Sequence, residues 1–171
     1  MGTCILPNDT YTYAHIDTQL KITNDFEKII LLGSGSFGNV YLVKHKQTND
    51  IYAMKSLNKN NFERNIERAI TEYNILVKLS HPFISKLHFC FQTKEELHII
   101  MQYCAGGNFY DVIKRQPNRC LTESQTQFYS ACVLLGLEYL HFNGIIYRDL
   151  KPENILMCNN GWLKWVQIDT N

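Results

Sequence analysis

The sequence predicts an α+β fold in two parts: a five-stranded antiparallel sheet with one long helix, then a mostly helical part. Three observations lead to this expectation. Between residues 26 and 102, short runs of apolar and β-branched residues alternate with polar turns, as in a sheet. Within that region, Asn65 to Leu79 carries its apolar residues at steps of three and four, as in a helix. A break at Ala105–Gly107 then precedes a second helical stretch.

The five strands are separated by polar turns, at Gln47–Asp50 and Thr93–Glu96 among others. The first three strands follow one another closely enough to form an antiparallel meander. The strands are expected at Ile29–Leu32, Val40–Val43, Ile51–Leu57, Lys86–Phe91 and Leu97–Gln102.

Two helices are predicted after the break. Asn108 is expected to cap a short helix that ends near Lys114. Thr122, with Gln125 at the third helical position, is expected to cap a long amphipathic helix. That helix should end at Asn143–Gly144, because glycine and asparagine commonly terminate helices.

Composition limits the function classes. The 171 residues are 45% hydrophobic and 19% charged, with a net charge of +1, which is typical of one globular domain. The scattered basic residues give no indication of nucleic-acid binding, and no apolar run is long enough to span a membrane. The six cysteines lie far apart without a C-x-x-C pair, which predicts reduced thiols in a cytoplasmic protein. Residues 1–25 are expected to form a leader before the domain.

The segment from Tyr147 to Asn154 carries the strongest chemical signal. It places a carboxylate, an ammonium and a carboxamide on one short loop stiffened by proline. Asp149 can accept a proton from an attacking hydroxyl, Lys151 can neutralise charge on the phosphoryl group during its transfer, and Asn154 can ligate Mg²⁺. The spacing matches the loop H-R-D-L-x-x-x-N with tyrosine in place of histidine. An ordinary charged turn is the alternative.

A glycine-rich loop joins the first two predicted strands. Three glycines allow its backbone to fold over phosphates and to present amide donors. The pattern G-x-G-x-x-G also occurs in dinucleotide folds, but there a helix follows, whereas a β-run follows here. A plain hairpin turn is the other alternative. The candidate nucleotide-binding residues are Leu32, Gly33, Ser34, Gly35, Ser36, Phe37, Gly38, Asn39 and Val40.

Lys55 lies seventeen residues after Gly38, on a strand with apolar neighbours. An ammonium in such surroundings is costly to bury unless anions accompany it. ATP phosphates and Glu72, on the predicted helix, would supply those anions and would link the helix to the nucleotide site. The alternative is that Lys55 and Glu72 are two exposed charges of little energetic weight.

These motifs occur in one order from about Phe26 to Asn154, together with His81–Ile84 and Met101–Gly107. In this respect the chain resembles the eukaryotic serine/threonine protein kinases. Within them it is similar to the AGC-like group, which contains the cyclic-nucleotide-dependent and C-type kinases, and especially to fungal and phototropin-like members.

The resemblance implies a bilobal fold with an N-lobe at 26–102, a hinge at 103–107 and a partial C-lobe at 108–171. It also implies ATP and Mg²⁺ as cofactors, a protein substrate with a Ser/Thr acceptor, and a regulatory protein partner. In such a fold, Met101 would be the gatekeeper and the backbone from Gln102 to Cys104 would hold adenine. Ala53 and Val40 would enclose the purine.

Departures from the family pattern leave a second function open. Glu72 stands two residues closer to Lys55 than is usual in the group, which suggests a shorter connection. Asn108 replaces a usual acidic residue, and Gln167 stands where the family places a magnesium-binding aspartate. The domain is also expected to be incomplete at its C-terminal end, leaving Phe128, Val133 and Leu140 without packing partners. A catalytically impaired nucleotide-binding pseudokinase or truncated interaction module is therefore the alternative, whereas an oxidoreductase fails because no parallel βαβ unit is predicted.

Overall fold

The computed structural model describes residues 24–35, 38–59 and 79–165. These fall into two compact units, one containing the described residues up to 59 together with 87–103, the other containing 79–86 and 104–165. The predicted helix at Asn65–Leu79 lies almost entirely outside the described residues, as does nearly all of the 1–25 leader. In the part that is described, no helix is both long enough and apolar enough to cross a bilayer.

The first unit is a five-stranded antiparallel sheet, which confirms the predicted sheet. Its strands run in the order β1-β2-β3-β5-β4. The first three form the expected meander, since β1 pairs with β2 and β2 with β3. The strands are β1 (Phe26–Gly35), β2 (Gly38–His45), β3 (Ile51–Asn58), β4 (Leu87–Gln92) and β5 (Glu96–Gln102).

One face of this sheet carries a compact apolar cluster. Phe26 stacks on Phe91 with ring centroids 6.1 Å apart, and Val43, Met54 and Ile100 complete the buried group. Alternation along the strands explains this cluster, because every second side chain points to the same face. The cluster joins β1 to β4, the two edge strands, and so holds the ends of the sheet together.

A buried polar pair also lies in this sheet. Ser56 on β3 is register partner of His98 on β5, and Ser56 Oγ lies 2.8 Å from His98 Nδ1. Both residues are almost completely buried. Glu96 Oε2 lies 3.5 Å from the other ring nitrogen, but its side chain is about one-third exposed. Burial, with the positive charges of Lys28 and Lys59, lowers the pKa of His98 to about 4.

The second unit contains two helices, α1 (Phe109–Lys114) and α2 (Glu123–Phe142). Both predicted caps are confirmed: Asn108 accepts a hydrogen bond from the Asp111 amide, and Thr122 forms a reciprocal capping box with Gln125. The end of α2 is also where the sequence placed it. Gly144, at φ 72°, lets its own amide and that of Ile145 donate to carbonyls in the last turn of α2.

A small three-stranded sheet, which the sequence did not predict, supports these helices. It consists of β6 (Gly107–Asn108), β7 (Ile155–Met157) and β8 (Leu163–Trp165) in that order. Backbone hydrogen bonds at Trp165 extend it to Phe83 and Ser85, which explains why residues 79–86 group with this unit. Trp165 is 1% exposed and forms the centre of its core.

The expectation for the apolar face of α2 is partly wrong. Phe128 is exposed as expected, although its ring centroid lies 5.2 Å from that of Trp162. Val133 is half-buried, and Leu134 and Leu135 are exposed. Leu140, however, is completely buried. It lies on the side of α2 that also buries Cys132 and Gly136, so the second unit already provides its packing.

Gly136 marks the closest approach of α2 to the small sheet. A Cβ placed there would lie 2.9 Å from Trp165 Nε1, which is tighter than normal contact. We expect Gly136→Val to lower the free energy of unfolding by about 1–3 kcal/mol, because overpacking forces neighbouring groups to shift. Chemical denaturation would measure this, with Ser130→Val at an exposed position of α2 as the matched control. Equal losses in both variants would contradict the contact as the cause.

Candidate active site

The loop from Tyr147 to Asn154 is held at both ends. It begins after the terminating turn of α2 and ends in a 3₁₀ turn, Pro152–Asn154, that leads directly into β7. Between these anchors, the Tyr147 ring packs edge-on against Trp165, with centroids 4.5 Å apart. Tyr147 is therefore a buried anchor that positions the polar residues following it.

The three predicted catalytic side chains meet at the Asp149 carboxylate. Lys151 Nζ lies 2.7 Å from Asp149 Oδ2, and Asn154 Nδ2 donates to the same oxygen at 2.7 Å. Asn154 Nδ2 also lies 2.9 Å from the Asp149 carbonyl oxygen. The loop is therefore a folded polar cluster rather than an ordinary charged turn.

The electrostatics keep Asp149 ionised. Hydrogen bonds from Lys151 and then from Asn154 hold the pKa of Asp149 below its usual value. Both donors use Oδ2, and among the described residues no hydrogen bond engages Oδ1. Asp149 thus presents one engaged and one open carboxylate oxygen, and the second can receive a proton.

Asn154 has one atom suited to a cation. Its Nδ2 group is occupied by Asp149, so the side-chain oxygen Oδ1 is the atom left for a metal ligand. Amide oxygens are ligands that Mg²⁺ accepts. Gln167, the departure from the family pattern, lies outside the described residues. In the part of the chain described, no group of three or more His, Cys, Asp or Glu side chains is arranged around a metal-sized space.

In the first unit, the candidate nucleotide-binding residues lie on adjacent strands. The glycine-rich segment joins β1 to β2 as a hairpin in which Gly35 pairs with Gly38, while Ser36 and Phe37 lie outside the described residues. Gly38 has φ 113°, and a Cβ there would collide with the Ser56 carbonyl. Glycine is therefore required at this position.

The other two glycines of the hairpin have a different environment. Among the residues that the structure describes, no atom lies within 4 Å of a Cβ built on Gly33 or Gly35. This open space around the backbone is consistent with a ligand approaching it closely. Leu32, Ser34, Asn39 and Val40 occupy the same hairpin. Leu32 and Ser34 are exposed, whereas Asn39 and Val40 are half-buried.

Lys55 is buried on β3, at 8% exposure, between Val40 on β2 and Ile99 on β5. This rules out an exposed charge at Lys55. Its predicted partner Glu72 lies outside the described residues. Ala53 pairs with Met101 across β3 and β5, and both side chains are buried, whereas Gln102 is half-buried. Cys104, buried as well, belongs to the second unit.

Near these residues the structure confirms one predicted arrangement and adds one that sequence reasoning missed. The Asn108 side chain accepts a hydrogen bond from the Asp111 amide and donates one to the Asp111 carboxylate, each at 2.8 Å. Asn108 therefore acts as a helix cap. Cys104 and Cys158 lie side by side, although they are 54 positions apart. No local spacing could reveal this pair, because the contact is made by strand pairing.

Comparison with known proteins identifies the family. The model for the protein kinase domain matches residues 26–167. The chain is 46% identical over 146 residues to "Serine/threonine-protein kinase nrc-2" of Neurospora crassa, covering 84% of this chain and 23% of that protein. It is 45% identical to "Flippase kinase 1" of Saccharomyces cerevisiae, covering 84% and 16%. It is 44% identical to "Serine/threonine-protein kinase AGC1-7" of Arabidopsis thaliana, covering 88% of this chain and 27% of that protein.

The chain thus spans less than a third of the length of these curated relatives. The matched region contains the glycine-rich hairpin, Lys55 and the loop at Asp149, and its sheet and helices agree with the predicted bilobal α+β fold. The resemblance drawn from the motifs is confirmed: the chain belongs to the protein kinase family, in which it is similar to AGC-type serine/threonine kinases.

Proposed function

We propose that the chain is a serine/threonine protein kinase, which transfers the γ-phosphate of ATP to a hydroxyl of a protein substrate. The observation that carries the proposal is the cluster of Lys151 and Asn154 on one oxygen of Asp149. This arrangement leaves a carboxylate oxygen available to a hydroxyl and a positive charge beside it. Family membership supports the same reaction class.

In this mechanism Asp149 orients the attacking hydroxyl and accepts its proton. In phosphoryl transfer the protein mainly positions the reacting groups and stabilises their charge, so a weakly basic carboxylate is sufficient. The lowered pKa of Asp149 keeps it ionised and ready to accept a hydrogen bond. Lys151, whose side chain is half-exposed, provides positive charge for the oxygens of the group in transfer.

ATP would bind through the residues of the first unit. The backbone of Gly33 and Gly35 would lie over the phosphates, and the Lys55 ammonium would contact their oxygens. Ala53, Val40 and Met101 would enclose adenine, with backbone groups of Gln102 and Tyr103 as its hydrogen-bond partners. The open space at the two glycines and the burial of Lys55 support this assignment.

A divalent metal ion, which we take to be Mg²⁺, would be held in part by Asn154 Oδ1. When bound, the ion would supply positive charge that offsets the negative charge of the phosphate groups. Asn154 has a second task in this chain, since its Nδ2 group fixes the rotamer of Asp149. Asn154 would therefore both hold the metal ion and orient the proton acceptor, Asp149.

The substrate is proposed to be a protein with serine or threonine acceptors. The relatives named serine/threonine kinases support this class. We also propose a cytoplasmic location and a regulatory protein partner. Glu153, within the loop, is an acidic residue that basic substrate side chains could contact.

Incubation of the chain with γ-labelled ATP, Mg²⁺ and a serine- and threonine-rich protein tests the proposal. We expect label on serine and threonine, identified by mass spectrometry, and its loss to background when a chelator removes the metal. ATP binding that occurs without metal and without transfer would instead support the nucleotide-binding pseudokinase. The relatives' names favour the kinase over that alternative.

A further inference from the structure

Two buried thiols meet in the second unit. The Sγ atoms of Cys104 and Cys158 are 3.0 Å apart, and each residue is 3% exposed. Both are free cysteines. A disulfide bond requires the sulfur atoms at about 2.05 Å, so an approach of roughly 1 Å separates the pair from a covalent bond.

The backbone around the pair is already fixed. The Gly106 amide donates to the Met157 carbonyl at 2.9 Å, and Gly107 pairs with Met157 in the register of β6 and β7. These contacts bring the chain leaving Cys104 against the strand that ends before Cys158. A Cβ at Gly106 would lie 2.5 Å from Met157 Cγ, so this close approach depends on glycine. The two thiols are therefore held together by strand pairing and not by chance side-chain positions.

The hydrogen bond between the two thiols shifts their pKa values in opposite directions. A hydrogen bond from Cys104 lowers the pKa of Cys158 to about 7, with a smaller contribution from the positive charge of Lys164. The same hydrogen bond raises the pKa of Cys104, which remains the proton donor. A thiolate is the form that attacks oxidants. We take Cys158 as the attacking sulfur and Cys104 as the resolving one; because either sulfur can donate the hydrogen bond, the reverse assignment gives the same disulfide.

We propose that Cys104 and Cys158 are a redox modification site, at which hydrogen peroxide converts the two thiols into a reversible disulfide. Peroxide is a small oxidant, and Cys158 directly precedes the exposed turn at residues 159–161. The site does not depend on the proposed function, because it is defined by the thiols alone.

The reaction balances with peroxide as the oxidant. The Cys158 thiolate attacks one peroxide oxygen, the O–O bond breaks, and the leaving hydroxide takes a proton to become water. Cys104 gives up its proton and attacks Cys158 Sγ of the sulfenic acid. The S–S bond forms as the S–O bond breaks, and the second hydroxide becomes water with that proton. Two thiols are oxidised and one peroxide yields two waters.

Mass spectrometry of the full chain after peroxide treatment tests the site. We expect a loss of about 2 Da, reversed by dithiothreitol, and one cross-linked peptide pair containing residues 104 and 158. Cys104→Ser and Cys158→Ser should each abolish the cross-link. Cys120→Ser, which removes an exposed cysteine, is the matched control and should leave it unchanged.

Two further measurements test whether the folded structure, and not random collision, brings the thiols of residues 104 and 158 together. Unfolding the chain in denaturant before oxidation should spread the cross-links over other cysteine pairs. Gly106→Ala should slow the 104–158 cross-link at least about tenfold, because its Cβ pushes the connector away from Met157. Oxidation of Cys158 to sulfinic acid without cross-linking, or an equal yield from the unfolded chain, would overturn the proposal.

Discussion

The Asp149→Asn variant is expected to transfer phosphate about 10²–10⁴ times more slowly than the unaltered chain, the range typical of losing a general base. Asparagine keeps the shape of the side chain and can still accept the hydrogen bond from Asn154. It cannot accept the substrate proton, and it removes the partner of Lys151. Initial rates at saturating ATP would show the loss in kcat.

Glu138→Gln is the matched control for this variant. Glu138 is an exposed carboxylate on α2, so its conversion to an amide makes the same chemical change away from the loop. We expect its rate to equal that of the unaltered chain, and ATP affinity to be retained in both variants. A full rate in Asp149→Asn would remove Asp149 from the mechanism.

Acid is expected to destabilise the sheet through His98. The pKa of this histidine is about 4 in the folded chain and about 6.5 when unfolded, so the unfolded state binds more protons between these values. The contribution of His98 to the free energy of unfolding is therefore fully present above pH 6.5 and is lost as the pH drops towards 4. The difference of about 2.5 pK units corresponds to about 3 kcal/mol.

His98→Asn isolates this contribution. Asparagine can replace Nδ1 as the partner of Ser56 but does not titrate, so stability should depend less on pH between 6.5 and 4. His141→Asn, at an exposed position on α2, is the matched control and should keep the steep dependence. Denaturant titrations at several pH values measure the slope. Parallel curves for the unaltered chain and His98→Asn would show that His98 is not the group responsible.

The sequence predicted those features that are set by neighbouring residues. Thr122 with Gln125 and Asn108 before a helix are local signals, and their hydrogen bonds are formed as expected. The five strands were predicted because each is long enough to show an apolar pattern between turn residues. Asp149, Lys151 and Asn154 lie within contact of one another because at most five positions along the chain separate them.

Features that depend on distant pairing were missed. Strands of two or three residues, such as β6 and β7, carry no detectable period. The Ser56–His98 contact needs the register of β3 against β5, and the two buried thiols need that of β6 against β7. Leu140 was expected to lack packing partners because the domain was expected to be incomplete, but it is buried in a unit that contains a small sheet of short strands, which were not predicted.

The placement of tryptophan gives this chain an internal optical reporter. Both tryptophans, Trp162 and Trp165, are in the second unit, and the other unit has tyrosine as its main fluorophore. Trp165 is enclosed and Trp162 is partly exposed, so their emission maxima should differ. Fluorescence excited selectively at the indole rings therefore reports the unfolding of the second unit alone, whereas far-ultraviolet circular dichroism reports the unfolding of both units.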